Sequence, residues 1–128
     1  MFKALMLVLT GVLAAAVLGV GTASAKGGNG VITTGTCSAG STWKLKLQPE
    51  DGRIEVEFEV DSNVVGQVWR VTMSDNGKQF FNGRARTKAP SGSFEIRKLT
   101  ADQAGPDKIE ANARNKRTGE VCNASGTL

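Results

Sequence analysis

Residues 41–60 decide the fold: they read Ser41-Thr-Trp-Lys-Leu-Lys-Leu-Gln48, then Pro49-Glu-Asp-Gly52, then Arg53-Ile-Glu-Val-Glu-Phe-Glu-Val60. Apolar and polar residues alternate on both sides of the Pro49–Gly52 segment, and a period of two indicates β-strands. We predict a β-hairpin whose turn lies over that segment. Apolar and opposite-charge cross-strand pairs favour one register. The expected pairs are Trp43 with Phe58, Leu45 with Val56, Leu47 with Ile54, Lys44 with Glu57 and Lys46 with Glu55.

Six further segments have the length and composition of strands: 31–36, 67–74, 79–84, 93–99, 108–115 and 120–127. Turn signals separate them, of which Asp75-Asn76-Gly77 is the strongest. That loop has either two residues or three with a bulge, so either Phe80 or Phe81 points inward. About eight short strands at this spacing predict an all-β fold, an antiparallel β-sandwich of 7–8 strands. The predicted core consists of Trp43, Leu45, Leu47, Ile54, Val56, Phe58, Val60, Trp69, Val71, Phe94, Ile96 and Ile109.

The first 25 residues have the layout of a secretory signal peptide. Lys3 precedes an apolar run over 4–20, and Ala23-Ser-Ala25 is a small-x-small cleavage site. An uncleaved membrane anchor is the alternative, since the run approaches spanning length. We predict cleavage after Ala25, a flexible leader over 26–30 and one domain over 31–128. The protein would be secreted, either extracellular or associated with the cell envelope, with no membrane segment after cleavage.

Two cysteines, Cys37 and Cys122, are the only ones in the chain. Export to an oxidising compartment favours their pairing. A disulfide would join the end of the first strand to the last strand and close nearly the whole domain. A metal-binding thiol pair is the alternative, but no acidic cluster flanks either cysteine and the chain has no histidine. We predict one structural disulfide and no metal or cofactor.

The chain lacks two residue types that often take part in catalysis, and an enzyme would have to use Asp, Glu, Lys and Ser alone. The chain has no histidine and no tyrosine, so Ser-His-Asp and Cys-His arrangements cannot form. Glu55, Glu57 and Glu59 share one strand face, where two of them would have lysines opposite. We interpret them as a solvated, charge-balanced face, and we predict that the protein is not an enzyme.

Basic residues of the second hairpin and its neighbours could form an anion-binding patch: Arg70, Arg84, Arg86, Lys88 and Arg97. Its ligand would be an anionic polymer such as a cell-wall glycopolymer. The alternative is that these side chains only protect sheet edges from pairing with other chains. Nucleic acid is not expected, because the net charge of +4 is small and the tryptophans alternate with core positions instead of with basic residues.

Several stretches resemble small secreted actinobacterial proteins of unknown function: Trp43-Lys-Leu-Lys-Leu47, Asp51–Asp61, Trp69-Arg-Val71, Ala89–Phe94 and Thr118–Cys122. A second similarity is to immunoglobulin-like domains. Asp102, Ala104 and Gly105, ahead of alternating apolar residues, resemble the corner before the penultimate strand of those domains. This similarity implies an immunoglobulin-like sandwich. The corner tyrosine is missing and Cys122 lies on the last strand, so the usual disulfide of that family is not implied.

The function expected from these features is that of a secreted, non-catalytic binding or cell-envelope-associated module. Its partner would be an anionic envelope polymer or another secreted protein. A small-molecule carrier or a protease inhibitor is the alternative, and it would require a cleft or an exposed loop.

Overall fold

The computed structural model describes residues 30–128, which form eight strands and no helix. The strands are β1 Val31–Thr36, β2 Thr42–Glu50, β3 Arg53–Asp61, β4 Val68–Asp75, β5 Lys78–Arg86, β6 Ser93–Ala101, β7 Lys108–Asn115 and β8 Val121–Thr127. The predicted signal peptide and most of the predicted leader lie outside the described residues. Within residues 30–128, no helix is long and apolar enough to cross a membrane.

The strands form two four-stranded antiparallel sheets that pack as a sandwich. Sheet A has the order β1-β2-β3-β6 and sheet B has the order β5-β4-β7-β8. The chain changes sheet after β3, after β5 and after β6. If β1 is left aside, β2-β3-β6 against β5-β4-β7-β8 corresponds to strands A-B-E against C′-C-F-G of immunoglobulin-like sandwiches. The predicted all-β, immunoglobulin-like sandwich is therefore confirmed.

The first hairpin has the predicted faces but a register shifted by two residues. Leu45 lies opposite Phe58 and Lys44 opposite Glu59, whereas the prediction was Val56 and Glu57. The turn consists of two residues, Asp51 and Gly52, both with positive φ (46° and 77°). Such a turn matches the twist of the flanking strands, so pairing continues through Glu50 and Arg53. A shift of two residues keeps every side chain on its predicted face.

The second hairpin also has a two-residue loop, in which Asn76 and Gly77 have φ values of 49° and 84°. The register shifts beside Met73, which pairs with Phe81, while the next residue pairs with Gln79. Phe80 is thus the extra residue of a β-bulge. Both phenylalanines are half-buried and pack against the core, so the alternation predicted for this strand is interrupted at the bulge.

The core lies between the two sheets, as predicted. Ten of the twelve predicted core residues are buried, and the other two, Trp43 and Ile96, are half-buried. The indole of Trp43 lies directly over Gly35 on β1, where a Cβ would come within 2.5 Å of the ring. Gly35 therefore leaves room for the Trp43 ring beside β1, the edge strand of sheet A. Buried residues outside the predicted list include Met73, Ala111, Ala113, Ala124 and Leu128.

The predicted disulfide is present. Cys37 follows β1 and Cys122 lies on β8; they are 85 positions apart in sequence and their Cα atoms are 4.4 Å apart. The bond connects sheet A to sheet B. Glu120 reinforces the same junction, because its carboxylate accepts hydrogen bonds from the Ala39 and Ser41 backbone N–H groups (3.0 and 2.9 Å) and from the Ser41 hydroxyl (2.7 Å).

Candidate anion-binding face

The two outer faces of the sandwich differ in how their charges are arranged. Alternation places four cations and six carboxylates on the outer face of sheet A. These are Lys44, Lys46, Arg53 and Arg97 together with Glu50, Glu55, Glu57, Glu59, Asp61 and Glu95. The outer face of sheet B carries five cations and one carboxylate: Arg70, Arg84, Arg86, Lys108 and Arg114 with Glu110. Sheet B is therefore the cationic side of the protein.

On sheet A, Arg97 is the centre of an ion-pair cluster. Its guanidinium lies 2.6 Å from the Glu57 carboxylate and 3.6 Å from those of Glu55 and Glu95. Desolvation by neighbouring side chains raises the pKa of Glu55, because it disfavours the charged carboxylate. A hydrogen bond with the Glu57 carboxyl raises this pKa further, and the positive charge of Arg97 lowers it. Lys44 pairs with Glu59 at 3.8 Å. The three glutamates thus have cationic partners, as predicted, but Arg97 contacts two of them and a lysine contacts only the third, and carboxylates outnumber cations on this face.

Arg97 is consequently separated from the rest of the predicted patch. It lies on the outer face of sheet A, whereas Arg70, Arg84 and Arg86 lie on the outer face of sheet B. Three carboxylates already contact it. The structure therefore does not bring Arg97 together with the other four residues.

Three arginines form a row across sheet B. Arg70 on β4 lies directly opposite Arg84 on β5 on one side and directly opposite Arg114 on β7 on the other. All three side chains are exposed. Neighbouring strands are about 4.8 Å apart, so the row spans roughly 10 Å. Among residues 30–128, no carboxylate lies within 4.0 Å of any of the three guanidinium groups.

The arginine row, defined as Arg70, Arg84 and Arg114, includes one residue that was not part of the predicted patch. Arg114 is 44 positions after Arg70, and only the pairing of β4 with β7 makes them neighbours. Its guanidinium reaches the turn before β8, near Gly119. The available signal is the alternation within segment 108–115, in which Arg114 falls on the same face as Glu110 and Asn112, opposite to Ile109, Ala111 and Ala113.

A row of like charges is unfavourable in the free protein. Like charges directly opposite each other in a sheet destabilise it. Arg70 has such a neighbour on both sides. Solvent and salt screen much of this repulsion at an exposed site. A bound anion would remove it, and arginine presents donors that match carboxylate and phosphate groups in pairs.

Arg86 and Lys88 extend the cationic side toward an open groove between β5 and β6. The groove has a volume of about 560 Å³ and lies where the edges of the two sheets face each other. Arg84, Arg86 and Lys88 line it together with Ala85, Phe94 and Ile96, and Glu59, Ser93 and Glu95 complete it. Arg86 also donates a hydrogen bond to the Gly66 carbonyl at 3.5 Å. Four of the five predicted patch residues thus lie on connected surfaces.

Comparison of the chain with protein-family models, with curated proteins and with solved structures finds no match. The resemblance to small actinobacterial secreted proteins therefore stays a prediction. Within residues 30–128, no three His, Cys, Asp or Glu side chains are grouped so that they could hold a metal ion. On the outer face of sheet B, outward-facing arginine, asparagine and threonine side chains offer charge pairing and hydrogen bonding to a ligand.

Proposed function

We propose that this protein is a secreted, non-catalytic binding module that associates with an anionic polymer of the cell envelope. The observation that carries the proposal is the arginine row on sheet B, which has no carboxylate partner among the described residues. Export is supported by the signal-peptide pattern of residues 1–25 and by a disulfide, since such bonds persist in oxidising compartments.

The contrast between the two faces supports this choice of surface. Sheet A carries many charges, but those of Arg97 and Lys44 are compensated by contacts within the sheet. The row on sheet B keeps its guanidinium donors available to a ligand. A β-sandwich is a rigid scaffold, so exposed arginines on paired strands are held at fixed spacing before the ligand arrives.

The test is co-sedimentation of the purified protein with isolated cell envelope across a salt series. We expect saturable binding that weakens as salt rises, because exposed charges are screened. The double substitution Arg70→Glu/Arg84→Glu is expected to lower the binding constant at least tenfold, or about 1.4 kcal/mol.

The matched control is Lys44→Glu/Arg53→Glu on the outer face of sheet A, which changes the net charge equally. It should retain most of the binding at every salt concentration. If the control and the sheet B variant lose binding equally, net charge and not the arginine row attracts the polymer. Absence of binding by the unaltered protein at low salt would contradict envelope association itself.

The groove between β5 and β6 favours a second candidate function, that of a carrier for a small amphipathic anion. Phe94 and Ile96 give the groove an apolar floor, and Arg84 and Lys88 give it a cationic wall. The ring of Phe94 lies 6.2 Å from that of Trp69. A ligand in the groove should therefore change tryptophan emission, and unchanged emission on titration with fatty acids or aromatic carboxylates would reject this function.

A further inference from the structure

The arginine row has a neighbouring row of uncharged hydrogen-bonding side chains on the same face. Thr72 lies opposite Asn82 on one side and Asn112 on the other, and Asn112 lies opposite Asn123. We call these four residues, three asparagines and one threonine, the amide row. It crosses all four strands of sheet B. Among the described residues, none of their side chains takes part in a hydrogen bond with another protein group. Their donors and acceptors face solvent together.

A shallow groove runs along one end of the amide row. It has a volume of about 340 Å³ and is lined by Lys108, Glu110, Asn112, Asn123, Ala124 and Ser125. Lys108 and Glu110 pair with each other at 3.3 Å, so the charges of this groove are compensated internally. The polar groups that it offers to a ligand are therefore mainly amides and a hydroxyl.

Building on the anion-binding function above, we propose that the ligand is an acidic polysaccharide, whose sugar rings lie across the strands of sheet B. The two rows are two residues apart along each strand, or roughly 7 Å, and the amide row is roughly 14 Å long. A chain of sugar acids carries anionic groups and hydroxyl groups on the same ring. The arginine row pairs with the carboxylates, and the amide row exchanges hydrogen bonds with the hydroxyls.

The amide row is what distinguishes a polysaccharide from other polyanions. Three arginines alone would bind any flexible polyanion through charge. Asparagine and threonine side chains add both donors and acceptors, which a sugar hydroxyl can satisfy and a bare phosphate chain, an acceptor only, satisfies in part. Binding that depends on the amide row therefore identifies hydroxyl groups in the ligand.

The test is titration of the purified protein with three probes: polygalacturonate, inorganic polyphosphate at the same charge concentration, and neutral dextran. We expect polygalacturonate to bind at least fivefold more tightly than polyphosphate, and dextran not to bind. The double substitution Thr72→Ala/Asn112→Ala should weaken polygalacturonate binding at least fivefold and polyphosphate binding less than twofold. The control is Thr34→Ala/Gln48→Ala, which replaces two uncharged residues of sheet A. It should change the binding of neither polygalacturonate nor polyphosphate.

Two results would overturn the assignment in distinguishable ways. If polyphosphate binds as tightly as polygalacturonate, or the Thr72/Asn112 variant binds both as the unaltered protein does, the ligand is a polyanion without recognised hydroxyls. The anion-binding function would then stand while the polysaccharide assignment fails. If neither polyanion binds at low salt, the polysaccharide assignment and the arginine row as a binding site both fail.

Discussion

Removing the disulfide by Cys37→Ala/Cys122→Ala should cost a large part of the stability of the domain. The bond closes a loop of 85 positions. In the chain-entropy account, a loop of this size restricts the unfolded chain by about 15 cal/mol/K, which is about 4–5 kcal/mol at 25 °C. Domains of this size are stable by about 5–15 kcal/mol, so the variant should fold but be marginal.

The variant should still fold because the junction has other contacts. The Ser38 N–H donates to the Val121 carbonyl at 2.9 Å, and the Val121 N–H donates to the Ser38 hydroxyl oxygen at 2.9 Å. Glu120 also keeps its three donors. We therefore expect native-like tryptophan emission at 25 °C and a melting temperature lower by roughly 20–35 °C.

The assay is equilibrium unfolding in urea, followed by tryptophan fluorescence. The control is the unaltered protein whose disulfide has been reduced while the chain is unfolded. Its unfolding free energy should agree with that of the variant within about 1 kcal/mol. The dependence of the unfolding free energy on urea should steepen in both, because the unlinked chain exposes more surface on unfolding. A loss of stability below about 1 kcal/mol would refute the reasoning.

Three smaller predictions follow from the same structure, each measured by unfolding in urea. Glu120→Ala leaves two backbone N–H groups and the Ser41 hydroxyl without their acceptor, so it should lower the unfolding free energy by about 3 kcal/mol; a change below 1 kcal/mol would contradict this. Gly92→Ala should cost about 1–3 kcal/mol, because Gly92 has a φ of 75° and a Cβ there would collide with the Val64 backbone; unchanged stability would show that the loop shifts freely. The pKa of Glu55 is raised in the folded protein, so the unfolding free energy should fall as pH rises from the ordinary value of 4.5 through the folded value. The change in unfolding free energy caused by Glu55→Gln, relative to the unaltered protein, should therefore be more favourable at pH 7 than at pH 4. The opposite order would contradict the raised pKa.

The faces of the strands could be predicted from the sequence, whereas the pairing of residues across the first hairpin could not. Alternation fixes which side chains share a face, and Leu45 and Phe58 are both buried as expected. Pairing depends on the turn. Asp51 and Gly52 adopt the two-residue turn, which the pattern of apolar residues does not distinguish from a longer one, because both place the same residues inward.

The candidate site could be predicted only where it is local in sequence. Arg70 and Arg84 belong to one hairpin, so their proximity followed from the Asn76-Gly77 turn. Arg114 joins them because β7 pairs with β4 after two changes of sheet, and no local pattern encodes that pairing. Arg97 was predicted to join them because it is close to them in sequence. Its strand, β6, belongs to the other sheet, and no local pattern indicates this.

The most direct test of the arginine row is the binding of Arg114→Glu to isolated cell envelope at low salt. Arg114 enters the row only through the sheet order, and it is far in sequence from the hairpin that carries Arg70 and Arg84. If the three arginines act as one site, Arg114→Glu should lower the binding constant as strongly as Arg70→Glu, at least severalfold, while Arg53→Glu on sheet A has little effect. Binding by Arg114→Glu equal to that of the unaltered protein would contradict the row as the binding site.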